Sequence, residues 1–330
     1  MTNRERMLAA MSGGTPDRLP CVEWATWWDK TVHRWHGEGV PEIWGVELME
    51  YFGLDPLVQF WLPHRKAGMP SPSYHGGAII ENEADYERIK PCLFPEDAVT
   101  RYKDHFAQIK TAHDRGDFAV WYTVEGCFWF PRTLFGIEGH FYSFYDWSEL
   151  YHQICSDLVE WELMCAEQIA ELIQPDFMTI AEDMSYNNGP MLSETMFDEF
   201  VAPYYKRLIP EIKRGGAYVI VDTDGDVTRM VPWMIRAGVE GVLPLERQAG
   251  VDVNRLRRDY PEFILLGGYD KMVMKHGEEA MRAEFERILP AIKSGRYIPS
   301  VDHQTPPDVS VENYRVYVRL LKEYAAKVGE

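Results

Sequence analysis

The sequence predicts an α/β protein built as a single closed (β/α)8 barrel, the TIM-barrel architecture, with an aromatic-rich N-terminal extension over the barrel mouth. Three observations predict it. Short β-rich runs alternate with amphipathic helical stretches, as a parallel sheet covered by helices requires. The chain has 330 residues, a normal size for one elaborated barrel. No G-x-G-x-x-G or G-x-x-x-x-G-K loop occurs, and such a loop usually accompanies the competing doubly wound sheet. No linker rich in Gly, Ser and Pro divides the chain, so residues 1–330 are read as one domain.

The rhythm is clearest in the second half. Ala217-Tyr-Val-Ile-Val221 is a strand, followed by a helical stretch from Val227 that ends at Ala237-Gly238, with glycine where a helix terminus favours it. Gly241-Val-Leu-Pro-Leu245 is the next strand, and Asp252 opens a helix to about Tyr260. Glu262–Leu266 precedes a helix over 278–293, and Arg296–Val301 precedes a last helix from Ser310. Further back, Asp176–Ile180 leads to a helix from Ser193, and Asp117–Val124 to a helix over 148–173 whose Leu150, Ile154, Leu158, Trp161, Cys165, Ile169 and Leu172 form one apolar stripe. Leu19–Trp24 supplies a first strand, and an eighth is expected between residues 50 and 85. Residues 24–100 otherwise break the rhythm, being rich in Trp, Tyr, Pro and Gly. They read as an insertion or lid over the mouth, with a hairpin strand at Gly76–Glu81.

Composition narrows the function classes. The formal charge is −18, which disfavours nucleic acid and anionic membranes as partners, because phosphate binding needs a basic stripe. The five cysteines, Cys21, Cys92, Cys127, Cys155 and Cys165, are scattered and never spaced as Cys-x-x-Cys. That is a reduced pattern, without a disulfide framework or zinc ribbon. The opening Met1–Leu8 carries charges and has no secretory apolar core. A cytoplasmic enzyme is expected.

In a parallel barrel the reacting groups lie at the strand carboxyl ends. The residues ending the strands include Glu125, Glu182-Asp183, Asp222-Thr-Asp224-Gly-Asp226, Glu246-Arg247, Asp270-Lys271 and Asp302-His303. So many acids on one rim repel each other unless protons, Arg247 and Lys271, or a metal ion compensate. Asp226 and Asp252 fit helix capping. Asp222 and Asp224, at i and i+2, point the same way, and His303 ends a strand on the same rim. A ligand or acid–base role for His303 is as well supported as a purely structural one.

Several segments resemble the uroporphyrinogen decarboxylase-like superfamily. They are Asn3–Arg18, with its Pro16-Asp17-Arg18 turn, Gly189–Ser193, Phe200–Leu208, Gly267-Gly-Tyr-Asp-Lys271 and Pro306–Asn313. Together they span nearly the whole chain, and they are specific for superfamily more than for activity. True uroporphyrinogen decarboxylases carry an arginine-containing run for the substrate carboxylates, where this chain has Glu23-Trp-Ala-Thr-Trp-Trp28. The zinc methyltransferases of the superfamily use His-x-Cys plus a later Cys, where this chain has Asp222-Thr-Asp224 and His303. Thiolate donors are replaced by harder oxygen donors.

The resemblance therefore implies the third branch, the corrinoid-dependent methyltransferases that demethylate an O-methyl donor. The expected activity moves methyl from a methoxylated aromatic to the cobalt of a separate corrinoid (cobalamin) protein. Asp222, Asp224 and His303 are the expected ligands of a divalent metal, zinc foremost. Glu182 or Glu246 would be a further ligand or acid. The expected catalytic set is Glu182, Asp224, Glu246 and His303. Trp24, Trp28, Trp121 and Arg247 are expected against substrate, with Trp27, Trp35, Trp61, Trp129 and Phe130 available to the same aromatic slot. The chain has no Asp-x-His-x-x-Gly corrinoid motif, so the corrinoid belongs to a partner. Relatives often pair, which makes a homodimer an expectation. The alternatives are a lyase anchoring a carboxylated substrate through Arg132 or Arg247, a methylcorrinoid-to-thiol or folate methyltransferase, and a binding protein on a barrel that has lost catalysis.

Overall fold

The computed structural model describes all residues from Met1 to Glu330. Seven parallel strands form the central sheet: β1 (Leu57–Trp61), β2 (Ala119–Glu125), β3 (Phe177–Ala181), β6 (Tyr218–Asp222), β7 (Gly241–Leu243), β8 (Ile264–Tyr269) and β9 (Tyr297–Val301). They lie in that order. A two-residue hairpin, β4 (Ser185–Tyr186) with β5 (Gly189–Pro190), follows β3. Strand order follows chain order because a helical crossover carries each strand to its neighbour on the same side, which curls the sheet. No helix of the molecule is long and apolar enough to cross a membrane, and the five cysteines are free.

Strand content differs from the expectation at three places. The sheet has seven strands rather than eight. Leu19–Trp24 forms no ladder, although it touches both edges. The Cys21 carbonyl accepts from the Asp55 amide just before β1, while Ser300 Oγ of β9 donates to the Val22 carbonyl. Trp24 Nε1 donates to the Val301 carbonyl. Pro20, which has no N–H to give a ladder, stands in this segment. The strand expected between residues 50 and 85 is β1, which sits with its flanking helix Gly45–Phe52 inside the stretch 24–100. Gly76–Glu81 is a loop rather than a hairpin strand.

That loop is held by a helix that periodicity did not reveal, Trp129–Asp146, interposed between β2 and the long helix Ser148–Leu172. The helix is broken at Gly136, whose φ is +74. The break frees the Leu134 carbonyl to accept from the amides of Ile79 and Ile80, and the Gly76 carbonyl accepts from Ile137. A Cβ on Gly136 would meet the Ala78 amide nitrogen at 2.7 Å. Only glycine meets both demands.

Of the two expected caps Asp252 is one, whereas Asp226 accepts from the Thr228 amide in the turn ahead of the helix Val231–Ala237. Asp252 accepts from the amides of Asn254 and Arg255, and Ser310 from that of Asn313. At the amino ends of the strands Asp176 is fully buried. It accepts from Arg4 Nε at 2.6 Å, His113 Nε2 at 2.9 Å and the Val120 amide at 2.8 Å. That places the N-terminal helix Asn3–Ser12 across the closed end of the sheet.

Glu23 is buried where Leu19–Trp24 meets β9 and the last helix, Val311–Ala325, and it accepts from Tyr314 at 2.7 Å and Ser300 at 3.4 Å. Burial pushes its carboxyl from the ordinary 4.5 up to about 8, against the pull of those two donors. The folded chain therefore keeps a proton that the unfolded chain releases above about pH 4.5, and this contribution to stability is lost as pH rises to about 8. Urea midpoints measured between pH 5 and pH 8.5 should fall with pH in the parent and fall less steeply in Glu23→Gln. Equal slopes for the two proteins would contradict this account of Glu23.

Candidate functional site

Side chains on a strand alternate between faces, and the register fixes which of them share a layer. Ala181 pairs with Asp222, Thr179 with Ile220 and Thr123, and Phe177 with Trp121. The inner face therefore has an aromatic layer below, where Trp121 stacks on Phe177 at 4.9 Å between ring centroids. A hydroxyl layer follows, in which Gln59 donates to Thr123 and Thr123 shares a hydrogen bond of 2.8 Å with Thr179. Asp222 stands at the top. Asp224 follows two residues later, so both acids reach the same cavity at the carboxyl ends of the strands.

That cavity has a volume of about 330 Å3. Glu182, Asp183, Asp222, Asp224 and His303 line it, with Gln59 and the indoles of Trp24, Trp61 and Trp129 as further walls. His303 Nε2 stands 3.7 Å from Asp224 Oδ1, beyond hydrogen-bond range. The edge of the Trp24 ring meets the imidazole at 6.1 Å between centroids. No lysine or arginine lines this cavity.

Burial raises the carboxyls in the cavity, and repulsion adds to it. Asp222 is pushed well above the ordinary carboxylate range by burial and by the charges of Asp183 and Asp224. Asp224 is pushed up to about 7 by burial, Asp183 and Glu246, against the pull of Lys271. Asp183 is raised by burial, in spite of a hydrogen bond from the Asp224 amide and the charge of Arg132. Burial and nearby Lys271 hold His303 toward its neutral form, outweighing Glu246 and Asp183. The cluster therefore keeps protons near neutral pH instead of carrying three full negative charges.

The expected site residues separate into groups. Asp222, Asp224, His303, Glu182 and Trp24 come together in the cavity, and so do Trp61 and Trp129. Glu182 is committed to structure as well. Its carboxylate accepts from the amides of Phe128 at 2.7 Å and Trp129 at 3.0 Å and from the Tyr205 hydroxyl at 2.6 Å, while burial pushes it up to about 7. Glu246 lies outside the lining and accepts from the Gly225 amide.

Trp121 is a correction. It is buried one layer beneath the hydroxyls and cannot touch a molecule in the cavity. Trp28 is exposed at the start of the helix Asp29–Gly37 and does not line the cavity. Arg247 contributes its backbone amide to Asp302 rather than a side chain to the cavity. Asp302 is itself buried and also accepts from the Lys271 amide and ammonium, each at 3.2 Å.

Asp183, in sequence one acid of the rim and not among the expected site residues, also lines the cavity. It continues the inner face of Thr179 and Ala181, with φ +43 in the left-handed region that aspartate tolerates. For a metal ion, the arrangement places no three of His, Cys, Asp and Glu where they could share one. The donors are chemically suited to a divalent ion, but their positions are not.

Fold and site together define an α/β protein whose polar groups converge at the carboxyl ends of a curled parallel sheet. The uroporphyrinogen decarboxylase (URO-D) family model matches residues 72–324, and the chain belongs to that family of enzymes. No curated protein matches it. Solved structures that resemble it include a protein assigned as a vitamin-B12 independent methionine synthase from Listeria monocytogenes. Identity to it is 11% and the TM-score 0.45, over 85% of this chain and 83% of that one. The β-glycosidase of Thermosphaera aggregans aligns at 9% identity and TM-score 0.45, over 86% and 84%. The 3-keto-D-glucoside 4-epimerase of E. coli aligns at 10% identity and TM-score 0.43, over 81% and 98%.

One close contact makes the placement of Glu182 testable. A Cβ on Gly126 would lie 2.0 Å from Glu182 Cδ, so Gly126→Ala must displace the carboxylate from the amides of Phe128 and Trp129. Overpacking and lost charged hydrogen bonds together should cost at least about 2 kcal/mol in urea unfolding. A variant as stable as the parent would show that Glu182 is not held there.

Proposed function

We propose that this protein transfers a methyl group from an O-methyl donor, a methoxylated aromatic, to the cobalt of a corrinoid carried by a separate protein. The observation that carries the reading is the pairing of proton-holding aspartates with indole walls in one cavity. Trp24, Trp61 and Trp129 suit a flat, neutral ring. Trp61 lines the cavity and is nearly half exposed, which leaves the mouth open for an acceptor presented by another protein.

The corrinoid supplies a strong nucleophile for the methyl carbon, and the remaining demands fall on this chain. As the oxygen–methyl bond breaks, its electron pair moves to oxygen, and the leaving group departs far more readily if a proton arrives with it. Asp224, pushed up to about 7 by burial and its acidic neighbours, is matched to donate that proton near neutral pH. Asp222 keeps its own proton and so spares the site a second negative charge. His303 stands beside Asp224 to return a proton from solvent. No step is assigned to zinc, because three ligands do not converge.

The test is methyl transfer from methoxyaromatics to a cobalt(I) corrinoid, followed by the cobalt absorption spectrum. Asp224→Asn should lower kcat by about 10²–10⁴-fold, the usual worth of a positioned acid, and chelators should leave the parent's rate unchanged. Activity lost to a chelator and restored by zinc would replace the proton-based account with a metal held by Asp222, Asp224 and His303. No transfer from any methoxyaromatic would refute the proposal itself.

A further inference from the structure

A second cavity, of about 400 Å3, adjoins the first and shares Trp129 with it. Its lining is opposite in character. Arg65, Arg132 and His75 face it and no carboxylate does, although the chain as a whole carries a formal charge of −18. Arg132 stands on the helix Trp129–Asp146 with its guanidinium over the Trp129 ring, 5.2 Å from the centroid. None of the molecule's salt bridges involves Arg132, and only its backbone amide is hydrogen-bonded, to the Phe128 carbonyl. Arg65 donates to Thr133 Oγ1 and lies 3.8 Å from Glu125 Oε2, and its buried Nε has no partner. Both side chains are partly exposed, so their guanidinium donors are open to a ligand that enters this cavity from solvent.

We infer that Arg65 and Arg132 hold the carboxylate of an aromatic substrate whose reacting methoxy group lies across Trp129, against the aspartate cluster. This rests on the methyl-transfer reading and specifies its substrate class as methoxylated aromatic acids. A carboxylate matches the planar fork of a guanidinium, and the Trp129 indole provides a face for the ring between the two compartments. The carboxylate is an anchor and takes no part in the reaction. Arg132, not Arg247, is the cation positioned for this, since Arg247 lines neither cavity.

The experiment is calorimetric binding to the full chain without any corrinoid, using 2-, 3- and 4-methoxybenzoate, 4-methoxybenzyl alcohol and inorganic phosphate. At least one methoxybenzoate should bind roughly tenfold to a hundredfold more tightly than the alcohol, the worth of a charged hydrogen-bonded pair. Arg132→Gln should remove that advantage, and Arg132→Lys should retain part of it. Matched thermal melts would show that the variants are folded. The inference is overturned if no methoxybenzoate outbinds the alcohol, if the advantage survives in both Arg65→Gln and Arg132→Gln, or if phosphate competes as well as the aromatic acids. Arginine-dependent binding without methyl transfer would count against the proposed reaction alone. Transfer from neutral donors with no preference for acids would count against the anchor alone.

Discussion

Backbone amides at the ends of parallel strands and the starts of the following helices lack ladder partners. When they are buried they must be met by something other than water. In this protein carboxylates meet them. Asp176 does so at the closed end of the sheet, and Glu182, Glu246 and Asp302 at the open end. Each acid spent in this way is fixed in position and has little freedom to react. The acids left without an amide, Asp222 and Asp224, are pushed up by burial and by the neighbouring carboxylates. Hydrogen-bond accounting thus separates scaffold from chemistry among residues of one type.

The electrostatic consequence is an uneven mouth. Lys271 is paired with Asp302, Arg247 faces elsewhere, and the aspartate cluster has only His303 for a nearby base. The acids reach neutrality by keeping protons. Beyond Trp129 the balance reverses, with two arginines and no facing acid. A ligand that is neutral or proton-accepting at one end and anionic at the other satisfies both halves. A fully anionic or fully neutral ligand satisfies only one.

Much of the sheet was legible in the sequence because β-branched and apolar runs such as Ala217–Val221 and Glu262–Leu266 are bounded by glycine and turn residues. The cap at Asp252 and the helix start at Ser310 were legible for the same local reason. Leu19–Trp24 has strand-like composition, but its pairing depends on edge strands far away in the chain, which local pattern does not reveal. The helix Trp129–Asp146 is aromatic on several faces and broken at Gly136, so no 3.6-residue stripe marks it. At the site, the i, i+2 relation of Asp222 and Asp224 carried through to the structure. Trp121 shares the same inner face, and depth along the strand decides its burial. Asp183 shares the inner face of Thr179 and Ala181, and at the rim nothing in the sequence set it apart from the acids beside it.

Glu182 shows how these threads join. It stands at a strand end like a catalytic acid, and its carboxyl borders the cavity. Its three hydrogen bonds, however, go to the amides that open the helix Trp129–Asp146 and to Tyr205. Through the Trp129 amide it fixes the indole that separates the two compartments, and Arg132 follows on the first turn of the same helix. Gly136 then bends that helix so that the 76–80 loop can close the far side of the second cavity. One buried carboxylate and one glycine kink therefore set the distance between the aspartate cluster and the arginines. The length of a ligand able to touch both is fixed by the scaffold before any reacting group is considered.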